Sequence, residues 1–191
     1  MPKFVLGSSS KTRLNLLKQI NFYPDIIEGA DIDEKPFKRE KPIDYVKRMA
    51  ETKAKTLYSK YFGNVILCAD TIISNEAKII QKPKDNEELK EMLRYYSSRN
   101  IKVITSICLI TSDHKFVKKT VSTSLKFKHL NEFDIKEYVK SGHGLGKAGG
   151  IAIETMMDAF VIKIVGSYSN IQGLPLYETR NLLISTGIES K

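Results

Sequence analysis

Two rhythms alternate along this chain. Short continuous apolar runs, which suit buried strands, give way to stretches where apolar residues recur every three or four positions, as on one-sided helices. Residues 3–7, KFVLG, predict a strand. It passes into SSSKTRLNLLKQI, where three serines offer N-caps and Leu14, Leu16, Leu17 and Ile20 form an apolar side. Residues 31–42, DIDEKPFKREKP, are charged, carry two prolines and predict a loop. In the next stretch, 42–62, Ile43, Val46, Met49, Ala50, Ala54 and Leu57 recur at helical spacing.

The most apolar run, NVILCADTII (64–73), predicts a strand at about 65–69. An ionised carboxylate is costly inside such a run. The strand is therefore expected to end at Ala69, leaving Asp70 at its carboxyl end where a cleft begins. AKII (77–80) is expected to pair with the residues just after that strand. KPKDNEELKEMLRYYSS reads as a helix with Asp85 as cap and Glu88 three residues on. Residues 100–111 and 116–127 predict strands, and 131–142 a helix closed by Gly142. After a glycine-rich loop, IAI (151–153) and AFVIKIVG (159–166) predict strands, and 175–186 a final helix with Pro175 near its start. The pattern predicts an α/β protein with a mixed twisted sheet flanked by helices. It reads as one domain, 1–191, with two lobes around a central cleft that divide near 98–100.

Composition narrows the possibilities. Hydrophobic residues make up 41% of the 191, enough for a substantial core. No apolar run approaches the ~20 residues needed to span a bilayer, and no leader peptide is visible, so a cytoplasmic protein is expected. The net charge of +9 favours a polyanionic partner, although the basic residues are dispersed and form no tail. Cys68 and Cys108 lie in apolar runs without CxxC spacing and read as reduced core thiols. His114, His129 and His143 are too scattered for a histidine metal site.

Several polar residues stand where a strand meets a cleft, the usual place for ligands of α/β sheets. At SSSKTR, Ser8, Ser10 and the first-turn N–H groups could hold phosphate with help from Lys11 and Arg13, or could simply cap a helix. Asp70 and Thr71 could face a site, or Asp70 could be bonded to backbone N–H groups. Asp31, Asp33 and Glu34 could bind Mg²⁺ shared with a substrate phosphate, or could be a solvated acidic loop. Lys53 lies on the apolar face of its helix, either snorkelling to the edge or pointing into a site. Lys82, in QKP, stands between a strand and a helix. GHGLGKAGG is not a P-loop: the first glycine is missing and Ala148 replaces the required Ser or Thr.

Taken in order, LGSSSKTR, DIDE, RMAETKAK, CADTII, QKP, YSSRNIKVIT, GKAGG and GSYSNIQGLPLYET resemble the Maf family of nucleoside triphosphate pyrophosphatases, over nearly the whole chain. The resemblance implies an inosine-triphosphatase-like fold and hydrolysis of a nucleoside triphosphate to monophosphate and pyrophosphate. It also implies a divalent metal, Mg²⁺ or Mn²⁺ with Co²⁺ a third candidate, and a possible homodimer. Asp70 maps to the family's proton acceptor, and Ser8, Arg13, Glu34, Lys53 and Lys82 map to its polar site. Asp70 and Glu34 are then the metal ligands, with Asp70 serving as base, as ligand or as both. Nucleic acid and membrane are not expected as partners.

The chain departs from the family pattern in two places. Lys11 and Thr12 stand where Pro-Arg or Pro-Trp is common, and Gly146 precedes Lys147 where aspartate is usual. The family's base-choosing positions map to Thr12, Thr71 and Glu154. Thr71 matches the dTTP/UTP branch and Glu154 the 7-methyl-GTP branch. An ionised glutamate only accepts hydrogen bonds, so Glu154 is expected to disfavour pyrimidines. The competing reading of the whole chain is a nucleotide-binding regulator of septum formation or cell division without significant turnover.

Overall fold

The computed structural model describes residues 2–76 and 78–190. Ala77, the first residue of the predicted strand 77–80, lies outside them. Seven strands form one mixed sheet: β1 (Phe4–Gly7), β2 (Ile26–Ile27), β3 (Val65–Asn75), β4 (Lys78–Ile80), β5 (Asn100–Ile110), β6 (Phe116–Phe127) and β7 (Val161–Val165). Their order is β2-β1-β3-β5-β6-β7, with β4 also on β3. β1 runs parallel to β2 and β3, and the remaining pairs are antiparallel. The helices are α1 (Lys11–Gln19), α2 (Pro42–Lys60), α3 (Asn86–Tyr96), α4 (Glu132–Ser141), α5 (Tyr168–Ile171) and α6 (Leu176–Ser185).

The expected caps form. Ser10 Oγ accepts from Arg13 N at α1, and Asp85 Oδ1 accepts from Glu88 N at α3. Gly142 ends α4 in the left-handed region, at φ 71°. Glu88 does not return the bond to Asp85; its carboxylate accepts from Lys84 N instead.

Apolar burial divides the sheet into two halves. In one, α1 and α6 pack on one face of β1, β3 and β5, burying Leu17, Leu67, Leu109 and Leu183. On the opposite face α2 buries Ala50, Ala54 and Leu57 against Val5, Ile66 and Cys108. The other half gathers Leu89, Leu93, Tyr96, Ile101, Leu125, Phe127 and Tyr138 around α3 and α4. β3 and β5 are 11 residues each, long enough to run through both halves. Residues 97–99 join α3 to β5, whose Leu93 and Ile101 share one cluster.

Two expectations need correction. β3 does not end at Ala69. It continues to Asn75, and Asp70 lies in the middle of the strand opposite Ser106 of β5. The strand can continue because β5 satisfies its backbone on one side and the Asp70 carboxylate finds a cationic partner. On the other edge β1 covers β3 only up to Cys68, and β4 covers it only from Ile73. Residues 69–72 therefore sit in a gap between two neighbours, and this gap is where the cleft opens. The second correction concerns IAI, which is not a strand. Gly149 and Gly150, at φ 54° and 70°, turn the chain just before it, and Ile151 N bonds back to Ala148 O. Ile151, Ala152 and Ile153 are buried in irregular backbone.

Candidate active site

The cleft lies at the carboxyl end of β1, beside the uncovered stretch of β3. Its walls come from the start of α1, the acidic loop, α2, the segment after β4, the 146–151 turn and the residues after α5.

Tyr45, Met49 and Lys53 follow one another at intervals of four along α2, on the face turned to the sheet. The Lys53 stem is thus mostly buried, and its ammonium bridges two carboxylates. Nζ lies 2.6 Å from Asp70 Oδ1 and 2.6 Å from Glu34 Oε1. The Asp70 side chain is 11% exposed and that of Glu34 50%. Burial pushes the Glu34 carboxyl up, but its bond to Lys53 and the charges of Lys53, Lys82 and Arg13 outweigh this and hold it below the usual range. Burial pushes Lys53 down, and the two carboxylates more than reverse that. An expensive buried aspartate is thus matched by a lysine 17 residues earlier on a different element.

Arg13 is fastened from three sides. Its Nε donates to Gly173 O at 2.8 Å, one Nη to Thr71 Oγ1 at 3.1 Å and the other Nη to Ser8 Oγ at 3.3 Å. Burial lowers its pKa, and Asp70 acts in the opposite direction. Thr71 Oγ1 is also 2.9 Å from Thr105 Oγ1. Gly173 has φ +100°, and a Cβ there would come 3.4 Å from Thr71 Oγ1 and 3.5 Å from Arg13 Nε. The turn that holds the guanidinium therefore requires glycine.

Other expected residues take distinct places. Ser8 is buried and also accepts from Ser10 N, while Ser10 is the α1 cap and lines the cleft. Lys82 is an exposed cation on the cleft wall. Of the acidic loop only Glu34 reaches the centre; Asp33 accepts from Lys35 N, and Asp31 is exposed and stands outside the lining. Thr12 and Glu154 meet through Lys147, whose Nζ is 2.8 Å from Glu154 Oε1 and 3.4 Å from Thr12 Oγ1. Glu154 is therefore not the lone acceptor that the sequence suggested. Ile72, Ile79, Ile80, Ile151 and Ile171 give the cleft an apolar wall.

Residues outside the expected set also line the cleft, chiefly Tyr45, Lys147 and Gln172. Tyr45 was detectable in principle, since it shares the spacing of four with Lys53. Lys147 and Gln172 carry no such signal. The two thiols take no part: both are fully buried, and burial pushes each up to about 12. Among the described residues no three His, Cys, Asp or Glu side chains cluster as a metal site. The donors that converge are Asp70 and Glu34. Two carboxylates suit a hard cation that completes its shell with water and substrate phosphate.

The family model described as Maf-like protein matches residues 3–186. A dTTP/UTP pyrophosphatase of Rhodopseudomonas palustris (strain BisB18) is 44% identical, covering 97% of this chain and 93% of its own. A nucleoside triphosphate pyrophosphatase of Neorickettsia sennetsu is 42% identical, covering 97% of this chain and 88% of its own. A HAM1 protein of Coxiella burnetii shares the fold at 16% identity and a TM-score of 0.54, covering 97% of this chain and all of that one. Since the family model and these relatives span almost the entire chain, the protein belongs to the Maf family.

Proposed function

We propose that this protein hydrolyses nucleoside triphosphates between the α- and β-phosphates, releasing a monophosphate and pyrophosphate, with dTTP and UTP as substrates. The observation that carries the reading is the Lys53 ammonium between Asp70 and Glu34, beside a fixed Arg13. The names of the relatives support the same chemistry.

A triphosphate brings about four negative charges, and attack by water at phosphorus depends mainly on positioning and charge neutralisation. Arg13, Lys53 and Lys82 supply fixed positive charge along the cleft. Ser10 and the α1 N-terminus add hydroxyl and N–H donors. Asp70, anchored through one oxygen to Lys53, keeps the other to orient the attacking water and take its proton. Asp70 and Glu34 would together hold Mg²⁺, Mn²⁺ or Co²⁺, which would neutralise phosphate charge and make a nearby water more acidic. The base lies against the isoleucine wall.

The Lys147–Glu154 pair supports the pyrimidine part of this reading, against the expectation from Glu154 alone. A uracil or thymine edge presents both a donor and an acceptor. A glutamate bonded to a lysine offers it both partners, as a glutamine would. The Glu154 position is thereby compatible with pyrimidines.

Incubation of the protein with a panel of triphosphates and Mg²⁺ or Mn²⁺, with products separated by chromatography, tests the proposal. UMP or dTMP together with pyrophosphate is expected. A diphosphate with orthophosphate would contradict the cleavage position. Binding without any product would favour the regulator reading.

A further inference from the structure

The acidic loop brings Glu34 to Lys53, yet residues 31–41 have no helix or strand of their own. Little apolar burial holds the loop. Ile32 packs beside Tyr45, Val46, Met49 and Ile72, whereas Phe37 is 64% exposed. The hold is polar and comes from one face of α2. Tyr45 O–H donates to the Glu34 carbonyl at 2.8 Å. One turn on, Arg48 donates through Nε and Nη2 to the two Glu40 oxygens at 2.7 and 2.6 Å, and through Nη2 to Lys35 O at 3.1 Å. Its guanidinium carbon also lies 3.8 Å from the Phe37 ring centroid. Glu40 in turn accepts from Phe37 N at 2.9 Å. One side chain thus grips residues 35, 37 and 40, directly after Glu34.

We propose that Arg48 is a positioning residue of the pyrophosphatase, clamping the acidic loop to α2 so that the Glu34 carboxylate stays on Lys53. This rests on the functional reading above, because Glu34 matters to catalysis only if that reading holds. A two-pronged, partly buried arginine–carboxylate pair stacked on an aromatic ring is suited to the task. The Glu40 side chain is 8% exposed and that of Arg48 24%, so solvent screens the pair in part and the two-pronged geometry carries the hold. No other cation reaches Glu40 among the described residues.

Two measurements test the clamp. In the first, Arg48→Met and Glu34→Gln are combined in a cycle read as kcat/KM for UTP. Arg48→Met alone is expected to lower it about tenfold or more, but by less than about twofold when Glu34→Gln is already present. An equal loss in both backgrounds would mean a general structural role and would overturn the proposal. In the second, limited trypsin digestion is followed at Lys38 and Arg39, the cleavable loop positions not followed by proline. Arg48→Met is expected to be cut faster there while its thermal unfolding stays cooperative. Cleavage no faster than in the parent protein would overturn the clamp, even for a protein without turnover. Absence of turnover in the parent would instead count against the functional reading. If Arg48→Met does not fold, Glu40→Gln removes the charged partner at constant shape, and the same outcomes apply.

Discussion

At the scale of single residues, the centre is a lysine shared by two carboxylates. Its pH behaviour follows from the direction of each shift. Glu34 is held below its ordinary value, so its contribution to stability is present above the unfolded value, roughly 4.3, and is lost as pH falls through the folded one. Lys53 is raised, so its contribution is present below roughly 10.4 and is lost as pH rises beyond its folded value. Urea unfolding of Lys53→Met against the parent protein should show the largest stability gap near neutrality. The gap should narrow below about pH 4 and again in strong alkali. A gap independent of pH would mean that the three charges are not coupled. Lys147 supports a second prediction. Removing it in Lys147→Met leaves Glu154 as an acceptor alone, so the ratio of kcat/KM for UTP over GTP should fall. Glu154→Gln should leave that ratio nearly unchanged. Lys53 could be noticed in the sequence as a lysine on an apolar face. Its partner Asp70 could be noticed as a carboxylate in an apolar run. Their contact could not, because it joins a helix to a strand.

At the scale of elements, hydrophobic rhythm revealed the long helices and strands and missed the shortest pieces. β2 has two residues and α5 four, too few for any period to register. The end of β3 is not legible in sequence because a buried Asp70 without a partner favours a stop; with Lys53 beside it, the strand has no reason to end there. The irregular backbone of IAI is not legible because three buried apolar residues look the same there and in a strand. The gap between β1 and β4 depends on the close approach of β1, β3 and α2. A Cβ on Gly7 would lie 2.1 Å from Cys68 Sγ and 2.7 Å from Leu57 Cδ1. Gly7→Ala should therefore lower stability by about 1–3 kcal/mol, seen as a reduced Tm. An unchanged Tm would show that β1 can move aside without cost.

At the scale of the whole molecule, the sheet brings residues from widely separated parts of the chain to one cleft, within 7–13, 29–34, 45–53, 70–72, 79–82 and 145–173. This dispersal explains why each signal was ambiguous alone and why only their order along the chain pointed to a family. No helix among the described residues is long and apolar enough to cross a membrane. The excess of +9 suits a polyanionic substrate, and the cations that line the cleft give part of that excess a location. In the proposed reaction the Asp70–Lys53–Glu34 centre hydrolyses the triphosphate. Pyrophosphate release from UTP and dTTP, measured side by side for the parent protein and Asp70→Asn, tests it most directly. Turnover is expected in the parent, with a fall of about 100-fold or more in the variant and the folded state retained. Equal release from the two proteins would contradict it.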